Sequence, residues 1–201
     1  MTLSKRIFDL ICSIGLALIL SPLFILIYVW IFLLEGKPVF YVSERMKAPT
    51  EAFRMVKFRT MRVVPEDRGV SGGDKSDRIT RSGRFLRATR LDELPQLWNV
   101  VKGDISFVGP RPPLREYVER FPGIYDEVLK SRPGITGLAS LNFSKREREL
   151  LSQCKNPEET DLVYCQRCIP RKAELDLIYQ RNQNICFDVA LMWRTALKVV
   201  F

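Results

Sequence analysis

From Leu10 to Leu34 the chain carries no charged residue, a run of 25 positions against the roughly 18 that mark a membrane segment. This run constrains the fold most, because backbone donors and acceptors inside lipid must be satisfied within the segment. As one straight helix it would be about 37 Å long, against a hydrocarbon core of about 30 Å. Pro22 interrupts it near the middle. Proline removes the N–H that would bond the Leu18 carbonyl and clashes with that turn, so a kink is expected at Ser21-Pro22. The Ser21 hydroxyl is then available to a freed backbone group. Each arm would be about 18 Å long, enough to dip into one leaflet and return. Lys5 and Arg6 precede the run, and Lys37, Arg45 and Lys47 follow it. Cytoplasmic flanks collect Lys and Arg, and here neither side is the poor one. Two topologies stay open, a re-entrant helix-break-helix and a single tilted span. A cleaved signal peptide fits less well, since the stretch exceeds a typical h-region and no small-residue cleavage site follows it.

Composition bounds the remainder of the chain. The sequence has 201 residues, so one domain of about 165 residues, large enough for a real core, can follow the apolar run. Lys and Arg total 32 and Asp and Glu 23, a net charge of +9, which suits an anionic membrane surface or phosphorylated substrates. Histidine is absent, which leaves carboxylates to serve as general base and metal ligand. Five scattered cysteines fit a reduced compartment. Cys165 and Cys168 form a CxxC, but zinc would need two further ligands, and unpaired thiols are the default.

Val39 to Val42 and Phe53 to Thr60 read as two short strands around a polar, Pro-containing connection, hence a hairpin. Alternation in the second strand puts Lys57 and Arg59 on one face, either a solvated face or a clamp for phosphate. Residues 64–77 are polar and Gly-rich and read as a mobile loop. The Gly72-Gly73-Asp74-Lys75-Ser76 within it is not a phosphate-binding loop, because Asp74 stands where a glycine is needed before the lysine.

The most informative chemistry lies between Arg90 and Pro113. Asp92 and Glu93 follow Arg87 and Arg90, and Arg111 arrives on the proline-locked Gly109-Pro110-Arg111-Pro112-Pro113. An anionic pair ringed by fixed cations suits chemistry on a phosphate or pyrophosphate. Alone, an Asp-Glu pair is more often a solvated helix face. Pro95 belongs in the first turn of a helix, so a helix with a Leu94, Leu97, Trp98 and Val101 stripe should begin just before it. Thr89 and Asp92 have capping-box spacing, and Gly103 reads as the residue past the helix end. Asp92 and Glu93 then fall in the first turn, where unpaired N–H groups favour negative charge.

These elements together resemble the monotopic phosphoglycosyl transferases of the bacterial sugar transferase family, along nearly the whole chain. The matching residues are the Ser21-Pro22 segment, Lys57-Phe58-Arg59-Thr60-Met61, Asp77-Arg78-Ile79-Thr80, Arg87 with Leu91-Asp92-Glu93-Leu94-Pro95-Gln96, and Asn99-Val100. They continue through Gly103-Asp104, Val108-Gly109-Pro110-Arg111-Pro112, Arg132-Pro133-Gly134-Ile135-Thr136-Gly137, Pro170-Arg171-Lys172, Tyr179 and Asp188. The resemblance implies an α+β fold, mostly helical, with a small β-hairpin. It also implies a re-entrant membrane helix over 1–36, broken at Ser21 and Pro22, and a cytoplasmic catalytic domain over 37–201. It implies an enzyme of the bacterial inner membrane, on the cytoplasmic face, that moves a phosphosugar from a UDP-sugar to polyprenyl (undecaprenyl) phosphate and releases UMP. The step opens bacterial glycoconjugate assembly and is ping-pong, through a covalent aspartyl-phosphosugar, with Mg²⁺. Carried over by position, Asp92 is the nucleophile and Glu93 its assistant, both near the metal. Lys57, Arg87 and Arg111 match positions that bind phosphate, and Arg59 is added because it shares the strand face of Lys57. Membrane lipids are expected partners, nucleic acid is not, and a homodimer stays open.

The chain departs from smaller members of the family, which carry Asn-Gly-Arg-Asn after the Gly-Ile-Thr-Gly turn. Here Gly137 to Ser144 leads into the charged run 145–149, expected to be a solvated helix face. The sugar is therefore not assigned. From Leu162 on, apolar and basic positions alternate with helical spacing. Leu191, Met192, Ala196, Val199 and Val200 read as core, with Trp193, Arg194, Lys198 and Phe201 at lipid headgroups. Two other classes compete. One is a non-catalytic, membrane-anchored basic module that binds anionic lipid or nucleic acid. The other is a one-step transferase in which Asp92 only holds Mg²⁺.

Overall fold

The computed structural model describes residues 1–64, 70 and 73–200. Two N-terminal helices, α1 (Leu3–Ile19) and α2 (Ser21–Glu35), lead into an antiparallel hairpin of β1 (Phe40–Ala48) and β2 (Glu51–Phe58). Helices α3 (Arg81–Ala88) and α4 (Gln96–Lys102) follow, then β3 (Ser106–Val108), α5 (Arg115–Arg120), α6 (Pro122–Val128) and β4 (Gly134–Thr136). The chain continues with α7 (Leu138–Ser152), α8 (Pro157–Val163), α9 (Ile169–Asn182) and α10 (Ile185–Val200). The fold is α+β and mostly helical, with the expected small hairpin. A second sheet, the parallel pair β3 and β4, was not foreseen because three-residue strands carry too little periodicity.

Helices α1 and α2 meet at 61° across Leu20, and among the described residues no single helix is long and apolar enough to cross a membrane. The bend follows from Pro22. Without its N–H the Leu18 carbonyl loses its helical partner, and the Ser21 hydroxyl donates to that oxygen at 2.8 Å. Helix α1 has a reversed polarity. Its buried residues are Lys5, Asp9 and Ser13, whereas Leu3, Ile7, Ile11, Ile14 and Leu18 are exposed. Steps of three and four residues place those five on one helical stripe. Lys5 bonds Asp9 at 3.0 Å and Asp188 of α10 at 2.7 Å, with side chains no more than 5% exposed. Arg6 donates to the Val100 and Val101 carbonyls at 2.6 and 2.7 Å, capping the end of α4. Lys5 and Arg6 are therefore engaged inside the protein, while Lys37 on the other flank is exposed.

The hairpin is longer on its first strand than expected. Glu44, Arg45 and Lys47 broke the apolar pattern, yet β1 runs to Ala48 before a turn at Pro49-Thr50. One core gathers Phe53, Met55, Val100, Ile105, Phe107, Val108, Tyr179 and Leu191, joining β2, α4, β3 and the last helices. The Tyr179 hydroxyl lies 2.7 Å from Asp188 and 3.1 Å from the Val108 carbonyl. In α10, Ala196 is exposed rather than buried, and Ile185, Val189, Trp193 and Leu197 form a second exposed stripe at four-residue steps. Of the expected mobile loop, residues 65–69 and 71–72 lie outside the described residues, while Gly73–Arg78 form a 3₁₀ turn. The Phe201 assignment and the side chains of Val199 and Val200 also lie outside them. All five cysteines are free.

Candidate active site

Asp92 and Glu93 sit in a 3₁₀ turn, Leu91–Glu93, rather than in the first turn of α4, which starts at Gln96 after Pro95. Thr89 does not cap them. Its hydroxyl donates backwards to the Phe85 carbonyl at 2.9 Å, closing α3. Arg90 separates the two elements with a left-handed backbone, φ 59°, uncommon for a residue with a side chain. That turn brings the guanidinium of Arg90 back over Glu93.

Glu93 holds three cations. Lys57 Nζ lies 3.0 Å from Oε1, Arg111 Nη2 3.1 Å from the same oxygen, and Arg90 Nη2 2.7 Å from Oε2. Burial alone would raise its carboxyl, but Lys57, Arg111 and Arg90 outweigh burial and hold it well below the usual carboxylate range. Lys57, at the end of β2, is pushed down to about 8 by burial, against the opposing pull of Glu93. Arg111 is raised chiefly by Glu93. Its position depends on two glycines. A Cβ at Gly109 would collide with the Arg132 carbonyl oxygen, and one at Gly134 with the Gly109 nitrogen. This close approach lets Gly134 N–H bond the Pro110 carbonyl at 2.8 Å, fixing the backbone just before Arg111.

Asp92 is the opposite case. It is 8% exposed, and among the described residues its carboxylate has no hydrogen bond or ion pair. Burial and the neighbouring Glu93 charge raise its pKa, with Lys57, Arg90 and Arg111 opposing. One carboxylate is thus locked as an anion and organises three cations, while the other is open and raised in energy when ionised. Three cations against two carboxylates leave a positive surplus, which suits an incoming diphosphate.

Two expected phosphate-binding residues have other partners. Arg59 lies beyond the end of β2 and donates to the Glu35 and Gly36 carbonyls at 2.7 and 3.1 Å, anchoring the end of α2 to the hairpin. Strand alternation placed it beside Lys57, but the strand ends at Phe58. Arg87 donates to Thr60 Oγ1 at 2.9 Å and approaches Met61 Sδ at 2.9 Å. Arg90, which contacts Glu93 directly, was not among the expected phosphate-binding residues. The Arg-x-x-Glu spacing was its only signal. In the charged run, Lys145, Arg146, Arg148 and Glu149 are exposed, but Glu147 turns inward to Lys172 at 2.8 Å and acts on Arg111.

Among the described residues no cluster of three or more His, Cys, Asp or Glu could hold a metal. Mg²⁺, however, is often held by one or two carboxylates together with substrate phosphates, and the open Asp92 with its neighbour Glu93 fits that donor set.

Beside the pair, an apolar groove of about 430 Å³ opens between the helix break and α4. Leu20, Ser21, Phe24, Pro95 and Trp98 are among its walls, so it lies between the Ser-Pro break and the residues that follow Glu93.

The family model described as bacterial sugar transferase matches residues 1–201. A Klebsiella pneumoniae protein named UDP-glucose:undecaprenyl-phosphate glucose-1-phosphate transferase is 32% identical over 96% of this chain and 39% of its own length. The UDP-galactose-lipid carrier transferase of Erwinia amylovora is 39% identical over 95% of this chain and 39% of its own. An uncharacterized sugar transferase of Bacillus subtilis is 34% identical over 98% of this chain and 87% of its own. The chain thus spans about two fifths of the length of the first two relatives and most of the third.

Proposed function

The chain belongs to the bacterial sugar transferase family, and from that membership we propose that it moves a phosphosugar from a UDP-sugar to polyprenyl (undecaprenyl) phosphate. The products are polyprenyl-diphosphate-sugar and UMP, and the step opens bacterial glycoconjugate assembly. The observation that carries the reading is the division of labour between the open Asp92 and the triply paired Glu93. An Asp92 carboxylate oxygen attacks the phosphorus that bears the sugar. A new P–O bond forms to Asp92, and the P–O bond to the nucleoside phosphate breaks, its electron pair leaving with UMP. An oxygen of polyprenyl phosphate then attacks the same phosphorus, and the bond to Asp92 breaks and restores the carboxylate.

A carboxylate is a weak nucleophile towards an anionic phosphorus, so repulsion must be screened. Lys57, Arg90 and Arg111 supply fixed positive charge, and Glu93 holds them in place so that little reorganisation accompanies the reaction. Asp92, with Glu93 beside it, would hold Mg²⁺ together with the donor diphosphate, where the ion adds charge neutralisation. Lipid attachment is supported by the exposed stripes of α1 and α10 and by the bent helix pair, which suit a re-entrant hairpin on the cytoplasmic side of the inner membrane. The groove beside Ser21 and Pro95 suits the isoprenoid of the acceptor, delivering its phosphate next to Asp92. The identity of the sugar is left to residues outside this cluster.

Isotope exchange tests the reading. Purified full-length protein in lipid nanodiscs, given a UDP-sugar, labelled UMP and Mg²⁺ but no polyprenyl phosphate, should return label into the UDP-sugar. Exchange that appears only when the lipid acceptor is added refutes a ping-pong route. A cysteine introduced near position 2 tests topology. Labelling from the periplasmic side overturns the re-entrant arrangement.

A further inference from the structure

One face of the hairpin carries donors without a partner among the described residues. The antiparallel register pairs Tyr41 with Lys57, Ser43 with Met55 and Arg45 with Phe53, so these six side chains share a face. Lys57 on that face is engaged with Glu93 at 3.0 Å. Further along, Ser43 Oγ and Arg45 Nε are both shielded from solvent and have no hydrogen-bond partner.

Arg45 is the unusual member. Among the described residues no carboxylate lies within ion-pair distance of it. The adjacent Glu44 points to the other face and pairs with Arg115 at 2.7 Å. Burial depresses the guanidinium, and the strongest charge acting on it is another cation, Arg111. Tyr164, Tyr41 and Glu116 oppose this more weakly. A half-buried cation whose Nε is shielded, with a like charge beside it and no ion-paired carboxylate among the described residues, is unfavourable in the free protein. Such a group is what an anion-binding site looks like before its anion arrives.

Arg111 acts on both Lys57 and Arg45. Asp92 feels Glu93, Lys57, Arg90 and Arg111, but Arg45 is not among its main neighbours. From Tyr41, opposite Lys57, to Arg45 the strand advances about 13 Å at about 3.3 Å per residue. That span is covered by the side chains and not by the ligand. With the sugar-bearing phosphorus at Asp92, the second phosphate would lie next to Arg111. The guanidinium of Arg45, whose strongest charged neighbour is Arg111, would reach it there from the strand. We propose that Arg45, assisted by the Ser43 hydroxyl, binds the phosphate that departs with the nucleoside. This rests on the transferase reading above and adds a binding residue for the leaving group. Negative charge grows on that phosphate as its bond to the sugar phosphate breaks, so a guanidinium held there also favours departure.

Equilibrium binding of UMP and of uridine to the full chain in nanodiscs tests the assignment. Wild-type protein should prefer UMP to uridine. Arg45→Gln should lower UMP affinity about ten-fold or more and leave uridine affinity unchanged, while Asp92→Asn keeps the preference. Arg45→Lys, which keeps the charge but loses the fork, should fall between. Because Arg45 lacks a counter-ion in the free protein, ligand-free Arg45→Gln should melt at the wild-type temperature or above it. An unchanged preference for UMP in Arg45→Gln, a lowered midpoint in its ligand-free form, or a wild type that does not distinguish UMP from uridine overturns the inference. Loss of the isotope exchange with UMP preference intact would instead count against the covalent route alone.

Discussion

Removing one charge from each of the two adjacent acids should affect stability in opposite directions, although both changes should abolish transfer. Glu93→Gln deletes the anion that accepts from Lys57, Arg111 and Arg90 at 3.0, 3.1 and 2.7 Å. Breaking a buried pair from one side costs about 3–5 kcal/mol, because the remaining cations are left uncompensated. For a chain of this size that lowers the melting midpoint by about 6–20 °C. Asp92→Asn deletes a buried carboxylate that has no partner among the described residues and whose pKa is raised by burial and Glu93. Its loss removes a repulsion, so the midpoint should stay level or rise. The pH dependence separates the two further. The folded pKa of Glu93 is depressed, so its contribution is present above about pH 4.3 and lost as pH falls through the folded value. The deficit of Glu93→Gln should therefore be full at pH 7 and shrink in acid. Thermal unfolding in nanodiscs between pH 2 and 8 measures it, with the shrinkage confined to the range below about pH 4.3. A Glu93→Gln midpoint equal to wild type at pH 7, or an Asp92→Asn midpoint as low as that of Glu93→Gln, refutes the division of roles.

Three other outcomes depend on particular residues. Lys57 titrates at about 8, so the transfer rate should decline on the alkaline side with a midpoint near that pH. Lys57→Arg should move the decline above pH 10, whereas a wild-type rate flat to pH 10 would show that the lysine charge is not needed. Asp176 in α9 is pushed up to about 7 by burial, has one carboxylate oxygen without a partner, and feels Lys172 and an Ala139 N–H as lesser, opposing influences. With the folded value raised, its favourable contribution is full below about pH 4 and disappears as pH rises through 7. Asp176→Asn should therefore gain up to about 4 kcal/mol over wild type at pH 8, read by denaturant unfolding, and little at pH 4. Lys5→Met leaves Asp9 and Asp188 facing each other and should cost about 3–5 kcal/mol. A triple change that also converts both aspartates to asparagine should recover most of the loss in the same melt.

Local patterns revealed the elements and the chemistry, but they did not reveal the partners. An uncharged run broken by Pro22 announces a bend, since proline acts on its own turn. Hydrophobic alternation found the hairpin because strand periodicity is local. The Asp92-Glu93 pair and the rigid Arg111 segment stood out because adjacent charges and prolines are visible in a short window. What stayed hidden depends on contacts between distant residues. Nothing near Arg59 shows that it reaches back to the Glu35 and Gly36 carbonyls. Lys5 and Arg6 look like lipid flanks until α10 and α4 are packed against them. Arg90 contacts Glu93 only because its backbone turns left-handed, and no side-chain pattern forecasts that. Arg45 was equally illegible, because its defining property is that no carboxylate among the described residues lies within ion-pair distance of it.

On the proposed route, Asp92 carries the phosphosugar between the two substrates. The most direct measurement is the intact mass of rapidly quenched protein after mixing with a UDP-sugar and Mg²⁺ without polyprenyl phosphate. The transferase should gain the mass of one phosphosugar, released when the lipid acceptor is added and located on Asp92 by fragmentation, and Asp92→Asn should gain nothing. A wild-type protein that is fully active with acceptor, yet never heavier by that mass at any quench time, would contradict the covalent route and reassign Asp92 to holding the metal alone.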